Sequence, residues 1–88
     1  MAQLGADVEA LDGLARRFRE SADQLRSMTN QLSSQIHAAW WQGSDAERFR
    51  GDWDGTYRAQ LEQVAARLEE TSAAVTTQAQ QQRDASGS

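Results

Sequence analysis

The first half of the chain carries an apolar or small residue at alternating steps of four and three residues. This spacing places them on one stripe of an α-helix, whereas a β-strand would need an apolar residue at every second position. The sequence contains no proline that would interrupt such a helix. The pattern therefore predicts a first helix from about residue 6 to about residue 42. Its stripe consists of Leu4, Val8, Leu11, Ala15, Phe18, Ala22, Leu25, Thr29, Leu32 and Ile36.

A second stripe, again with steps of three and four residues, predicts another helix over about residues 45–79. The segment that follows, 80–88, is polar and continues no stripe, so we expect a flexible tail there. The second stripe consists of Ala46, Phe49, Trp53, Tyr57, Leu61, Val64, Leu68, Thr71 or Ser72, Val75 and Ala79.

A helix stop and a helix start stand next to each other at residues 42–44. Gly43 is suited to the left-handed backbone conformation that ends many helices. Ser44 is suited to cap the next helix, and Glu47 stands where it would complete a capping box. A turn this short forces the two helices to run antiparallel. The predicted fold is therefore all-α, with a helix-turn-helix hairpin over residues 1–79.

A single hairpin of this kind buries too little apolar surface to offset the conformational entropy that folding costs. Two hairpins that pair into a four-helix bundle would bury the flanks of both stripes. We therefore predict that the chain dimerises as part of folding. The predicted core of the dimer consists of Phe18, Leu25, Leu32, Ile36, Phe49, Trp53, Leu61 and Leu68.

The charge balance and the missing residue types argue against several classes of function. Thirteen acidic residues against nine basic ones give a formal net charge of −4, which disfavours nucleic acid and strong membrane binding. The chain has no cysteine for a disulfide or a Cys-ligated metal, and we expect no metal and no cofactor. The first residues do not resemble a cleaved signal peptide, and no apolar run reaches the ~20 residues of a membrane span. The expected partner is a protein.

The sequence contains two candidate chemical sites, and each lacks residues that its chemistry requires. His37 lies near Ser33 and Ser34, but no carboxylate close in sequence would orient the imidazole for acyl transfer. The stretch from Asp52 to Gly55 resembles part of a calcium loop, yet the positions of the first and last ligands of such a loop fall on Arg50 and Leu61. We therefore predict that the protein is not an enzyme, that His37 is a flanking or surface residue, and that the acidic cluster of Asp52 and Asp54 lies on the solvated face of the second helix.

The three tryptophans carry the most information. Trp40 and Trp53 continue the apolar stripes, so we expect both in the core. Trp41 lies about 140° from Ile36 at 100° per residue, and hence off the stripe. It is either a lid on the end of the hairpin or an exposed anchor for recognition, and the pattern alone leaves both open.

The residues around the predicted turn resemble the central signature of a known family. Trp41-Gln42-Gly43, followed by Ala46, Phe49 and Trp53, reads Trp-x-Gly-x-x-Ala-x-x-Phe-x-x-x-Trp. This pattern is similar to that of the WXG family of small type VII (ESX) secretion proteins. The architecture matches over essentially the whole chain and the motif over about thirteen residues.

The resemblance implies a hairpin that pairs with itself or with a sister WXG protein. It further implies a protein without enzymatic activity, made in the cytoplasm and exported folded, without a cleaved signal, by a membrane ATPase of the type VII system. In this family the Trp-x-Gly turn and the C-terminal tail of the partner together form the export signal. Carried over, the export and partner-recognition residues of this chain are Trp41 and Gly43.

The chain departs from the family pattern in its tail. Members that carry the tail signal have Tyr-x-x-x-Asp or Glu just after the second helix, whereas Tyr57 lies inside that helix here. Asp84 is present, but Gln80 stands where the tyrosine would be. The chain is then the signal-lacking member of a heterodimer, or it uses a different tail motif, or the natural chain extends beyond Ser88.

Two functions follow from these observations. The leading hypothesis is a secreted protein or secretion partner that acts through protein–protein contacts as a homodimer or heterodimer. The alternative is an intracellular helical adaptor, or the hairpin module of a polymorphic-toxin system, that is not itself exported.

Overall fold

The computed structural model describes residues 7–87 as an antiparallel helical hairpin. Helix α1 spans Val8–Ala38, and after a link over residues 39–43 come α2 (Ser44–Asp52), a π-helix (Trp53–Tyr57) and α3 (Arg58–Gly87). The last three are continuous and form a second arm (44–87) that runs back along α1. The all-α hairpin is thus confirmed, and no strand occurs in the described range. The rod measures 65 × 16 × 15 Å.

The ends of α1 differ from the sequence-based prediction. The helix begins at Val8 because the Asp7 carboxylate accepts hydrogen bonds from the backbone N–H groups of Glu9 and Ala10; Leu4, the first stripe residue, lies outside the described range. At the other end α1 stops at Ala38 rather than near residue 42, and Ala39 is already extended. The turn is consequently five residues long, 39–43, instead of the predicted 42–44.

The polar end of the chain also differs from expectation. We expected a flexible tail from residue 80, but α3 continues to Gly87. The segment offers no proline, and its Gln, Ala and Arg residues are good helix formers. The Gln80 amide donates to Asp84 one turn later, and Arg83 forms an ion pair with Asp12 of α1. This pair fastens the end of the second arm to the beginning of the first.

Small residues form the buried seam between the two arms. Three of them on each long helix recur at intervals of seven residues, so they face the partner helix continuously. The Ser72 hydroxyl donates a 2.7 Å hydrogen bond to the main-chain oxygen of Ala15, which requires the two backbones to lie close together. Apart from Trp53, large side chains therefore line the seam instead of filling it. The buried small residues are Ala15, Ala22, Thr29, Ser33, Ala46, Ala65, Ser72 and Ala79.

The π-helix keeps the apolar stripe of the second arm on one side. Trp53 and Leu61 are eight residues apart, which at 100° per residue would rotate Leu61 by about 80° away from Trp53. The segment from Trp53 to Leu61 has one residue more than a regular heptad spacing. The wider π-turn, closed by a hydrogen bond from the Arg58 N–H to the Trp53 carbonyl, accommodates this residue. A one-residue insertion in the heptad repeat is thereby accommodated without a break in the helix.

The hairpin has one apolar face and one polar face. Around α1, Leu25 lies about 60° to one side of buried Ala22, and Arg26 about 40° to the other. Arg26 crosses the hairpin to Glu62 and Glu69, at 2.8 Å and 2.7 Å, so the polar flanks of the two arms share one face. The apolar flanks therefore share the opposite face. Exposed or half-buried there are Leu14, Phe18, Leu25, Met28, Leu32, Phe49, Tyr57, Val64, Leu68 and Val75.

The ion pairs of Arg26 predict a contribution to stability that is lost in acid. Its hydrogen bonds hold the pKa of Glu62 and of Glu69 below the ordinary value of 4.5. A lowered pKa in the folded state stabilises the protein above pH 4.5, and this contribution disappears as the pH falls through the lowered values. We expect Arg26→Gln to reduce the loss of melting temperature between pH 7 and pH 3. Arg16→Gln, on an exposed and unbridged arginine, is the control, and equal acid sensitivity in both variants would contradict the prediction.

Candidate functional site at the turn

The link over residues 39–43 contains two tryptophans: Trp40 is exposed to solvent, and Trp41 is about half covered. Trp40 was expected on the apolar stripe and in the core, and this expectation is wrong: its side chain is 86% exposed. The reason is that α1 ends at Ala38, so the helical periodicity no longer applies to Trp40. Trp41, expected off the stripe, is 44% exposed.

Gly43 occupies a backbone conformation that other residues rarely adopt. Its φ is +117°, so any side chain there would strain the backbone, although the space around it is open. The predicted capping arrangement is wrong in detail. Gly43 is itself the N-cap of α2 and its carbonyl accepts from the Glu47 N–H, whereas Ser44 is already helical and no side chain caps this end.

Aromatic rings run from the link along the second arm. The ring of Trp41 lies 6.0 Å from that of Phe49 between centroids, and Phe49 lies 6.2 Å from Tyr57. Phe49 also stacks at 6.5 Å on Trp53, which is 4% exposed. These distances are typical of favourable aromatic pairs. We call Trp41, Phe49 and Tyr57, each 37–44% exposed, the aromatic strip.

Arg50 joins the link to the end of α1. Its Nε and Nη2 donate to the main-chain oxygens of Ile36 and Ala39, both at 3.1 Å, where α1 has carbonyls without helical partners. Its guanidinium carbon lies 5.7 Å from the centre of the Trp41 ring, within the range of a cation–π contact. Sequence reasoning missed Arg50, because nothing in its spacing sets it apart from Arg48.

Two further contacts fix the base of the site. The indole N–H of Trp53 donates a 2.7 Å hydrogen bond to the Ser33 hydroxyl, and this pair is buried between the arms. His37 Nε2 lies 2.9 Å from an Asp54 carboxylate oxygen, and both side chains are about half exposed. His37, Asp52 and Asp54 thus lie on helix surfaces, as expected. Within residues 7–87, no group of three or more His, Asp or Glu side chains is placed to hold a metal ion.

The turn and the tail lie at opposite ends of the rod. Arg83 pairs with Asp12 near the beginning of α1, whereas Trp41 follows its end. The part of α1 from Asp12 to Ala38, at 1.5 Å per residue, separates them by about 40 Å. One chain therefore cannot bring Trp41 and the Gln80–Asp84 segment together.

The turn end thus presents partly exposed aromatic rings on a helical hairpin, and such a surface is suited to protein recognition.

The family model described as proteins of 100 residues with WXG (WXG100) matches residues 3–85. The chain belongs to the WXG100 family. No curated protein and no solved structure matches it. Proteins of this family are small helical proteins secreted by type VII systems, are not known as enzymes and typically form dimers.

Proposed function

We propose that this protein is a non-enzymatic partner or substrate of a type VII secretion system and that it acts through protein–protein contacts. The observation that carries the proposal is the family match over residues 3–85, with the Trp-x-Gly motif on a partly exposed turn. Trp41 and Gly43 are the proposed recognition residues. Trp41 offers part of a large ring to a partner, and Gly43 supplies the backbone geometry that presents it.

The apolar face of the hairpin supports pairing with a second hairpin. Leu14 and Leu32 on α1 are each 44% exposed, and Val64 on α3 is 50% exposed. An apolar surface that runs the length of a rod, with the ion pairs collected on the other face, fits one face of a four-helix bundle. The predicted dimer residues from Phe18 to Leu68 lie on this face or at its edge, with Trp53 in the seam below it. The partner is a second copy or a sister protein.

The length of the rod supports an antiparallel arrangement of the two hairpins. If the export signal combines a Trp-x-Gly turn with a C-terminal segment, the distance of about 40 Å within one chain requires the segment of another chain. Antiparallel pairing places the turn of one hairpin beside the tail of its partner. Because Gln80 replaces the tyrosine of the family tail pattern, the sister protein of a heterodimer would supply the complete tail.

In this proposal the dimer folds in the cytoplasm, and the type VII ATPase recognises the turn together with the tail. Within residues 7–87 no helix is both long and apolar enough to cross a membrane. The excess of acidic residues disfavours strong binding to an anionic bilayer. Export then depends on protein contacts rather than on insertion of the hairpin into lipid.

The experiment that tests this proposal is secretion from the native host. We expect Trp41→Ala to leave helicity and dimer formation intact and to reduce the protein released into the culture supernatant about tenfold or more, as truncation of a recognition tryptophan does. Trp40→Phe, which keeps an exposed ring beside the motif, is the matched control and should be released normally.

Three other outcomes would count against the proposal. Normal release of Trp41→Ala would remove the recognition role of that ring. Unfolding of Trp41→Ala would make Trp41 a structural lid. Retention of the unaltered protein in the cell pellet, in a host whose type VII system is active, would favour the intracellular adaptor or toxin-module alternative.

A further inference from the structure

Arg50 makes three contacts at a point where the chain leaves regular structure. Two of its nitrogens bind the carbonyls of Ile36 and Ala39, and its guanidinium faces Trp41. These groups belong to the end of α1 and to the link, whereas Arg50 belongs to the last turn of α2. One half-buried side chain therefore holds three parts of the turn in a fixed relation.

We propose that Arg50 is a positioning residue that fixes the ring of Trp41 for recognition. The inference rests on the proposed role of Trp41 and extends it to a residue outside the Trp-x-Gly motif. Arg50 acts through Trp41 and does not itself have to touch the partner.

The geometry gives a physical reason for this role. The ring of Trp41 has two neighbours. One is the ring of Phe49, at 6.0 Å between ring centres, and the other is the guanidinium of Arg50, which two hydrogen bonds hold in place. A fixed cation next to a partly exposed ring limits the rotamers that the ring visits, which lowers the entropy lost on binding. Without Arg50 the ring would lose its cation–π contact, and the carbonyls of Ile36 and Ala39 would lose their hydrogen bonds to the guanidinium.

A planar guanidinium is required for all three contacts at once. Its fork donates in two directions to two carbonyls while its central carbon lies 5.7 Å from the centre of the Trp41 ring. A lysine ammonium carries the same charge but cannot reproduce the fork. The variant Arg50→Lys therefore separates charge from geometry, and Arg50→Ala removes both.

The experiment measures the Trp41 ring directly in a Trp40→Phe background. There the fluorescence accessible to a soluble quencher comes from Trp41, because Trp53 is buried. We expect Arg50→Ala and Arg50→Lys to increase quenching, while helicity and dimer formation stay unchanged. Arg48→Ala, on the exposed arginine of the same helix, is the control and should leave quenching as it was.

The second readout is release into the supernatant. Arg50→Ala should reduce release, by no more than Trp41→Ala does, and the double variant should lose no more than Trp41→Ala alone, because both act through one ring. Unchanged quenching in Arg50→Ala would overturn the proposal, as would normal release of Arg50→Ala in a host where Trp41→Ala is retained. Wild-type behaviour of Arg50→Lys in both readouts would also overturn it, because charge without the fork would then suffice.

Failure of the proposed function gives a different result. If Trp41→Ala is released normally, the recognition role of Trp41 is wrong and so is the role of Arg50 in recognition. The quenching measurement then still decides whether Arg50 holds the ring, which would leave it a structural clamp.

Discussion

Trp53→Ala is expected to lower the free energy of unfolding by about 3–5 kcal/mol, the usual cost of truncating a buried tryptophan. The ring is 4% exposed, stacks on Phe49 and donates a 2.7 Å hydrogen bond to Ser33. Its removal leaves a cavity and an unpaired buried hydroxyl in a seam made otherwise of small residues. Urea denaturation followed by circular dichroism measures the loss.

Trp40, the exposed tryptophan of the link, provides the control. Trp40→Ala should change the free energy of unfolding by no more than about 0.5 kcal/mol, as expected for an exposed side chain away from packed features. The two substitutions remove the same atoms, so the difference between them measures what Trp53 gains from its place in the seam, including its hydrogen bond to Ser33. A comparable loss in both variants would contradict the position of Trp53 in the seam and that of Trp40 outside it.

The contrast between these two residues shows how far the sequence predicts the fold. The periodicity of the stripes correctly predicts two long antiparallel helices and places Trp53 between them. It fails at Trp40 because periodicity holds only while the helix continues, and α1 ends two residues earlier at Ala38. No proline or glycine marks that end. Contacts from Arg50, fourteen residues after Ile36, stabilise it instead.

The π-helix also has a signal in the sequence, namely one extra residue in the spacing of the second stripe. From Ala46 the stripe of the second arm proceeds in steps of three, four, four, four and three residues to Val64. A regular heptad would take three, four, three, four and three, one residue fewer. The extra residue falls between Phe49 and Leu61, where the structure places the π-turn. In this chain, the three successive steps of four residues coincide with the π-turn.

The candidate site was predictable only in part. Trp41 and Gly43 were singled out because they form a motif that is recognisable by residue type. Arg50 was not, because its role depends on where α1 ends and on the path of the link, neither of which the sequence pattern fixes. The hairpin seam was likewise misjudged in character: the stripe contains both large and small residues, and only close approach of the backbones decides that the small ones are buried.

Leu25→Asp should convert the protein from a dimer to a monomer that is largely unfolded, with a dissociation constant raised at least about 100-fold. Leu25 is half buried in the single hairpin and lies on its apolar face. In the proposed four-helix bundle, the new carboxylate would be enclosed without a cation or a donor, and burial of an unpaired charge is strongly unfavourable. Sedimentation and circular dichroism at micromolar concentration measure both effects.

Gln24→Asp adds the same charge one residue earlier, on the exposed outer side of α1, and should leave the dimer intact. If Leu25→Asp stays dimeric and helical, the apolar face is not the pairing surface; if the unaltered chain is a stable, cooperatively folding monomer, the hairpin needs no partner to fold.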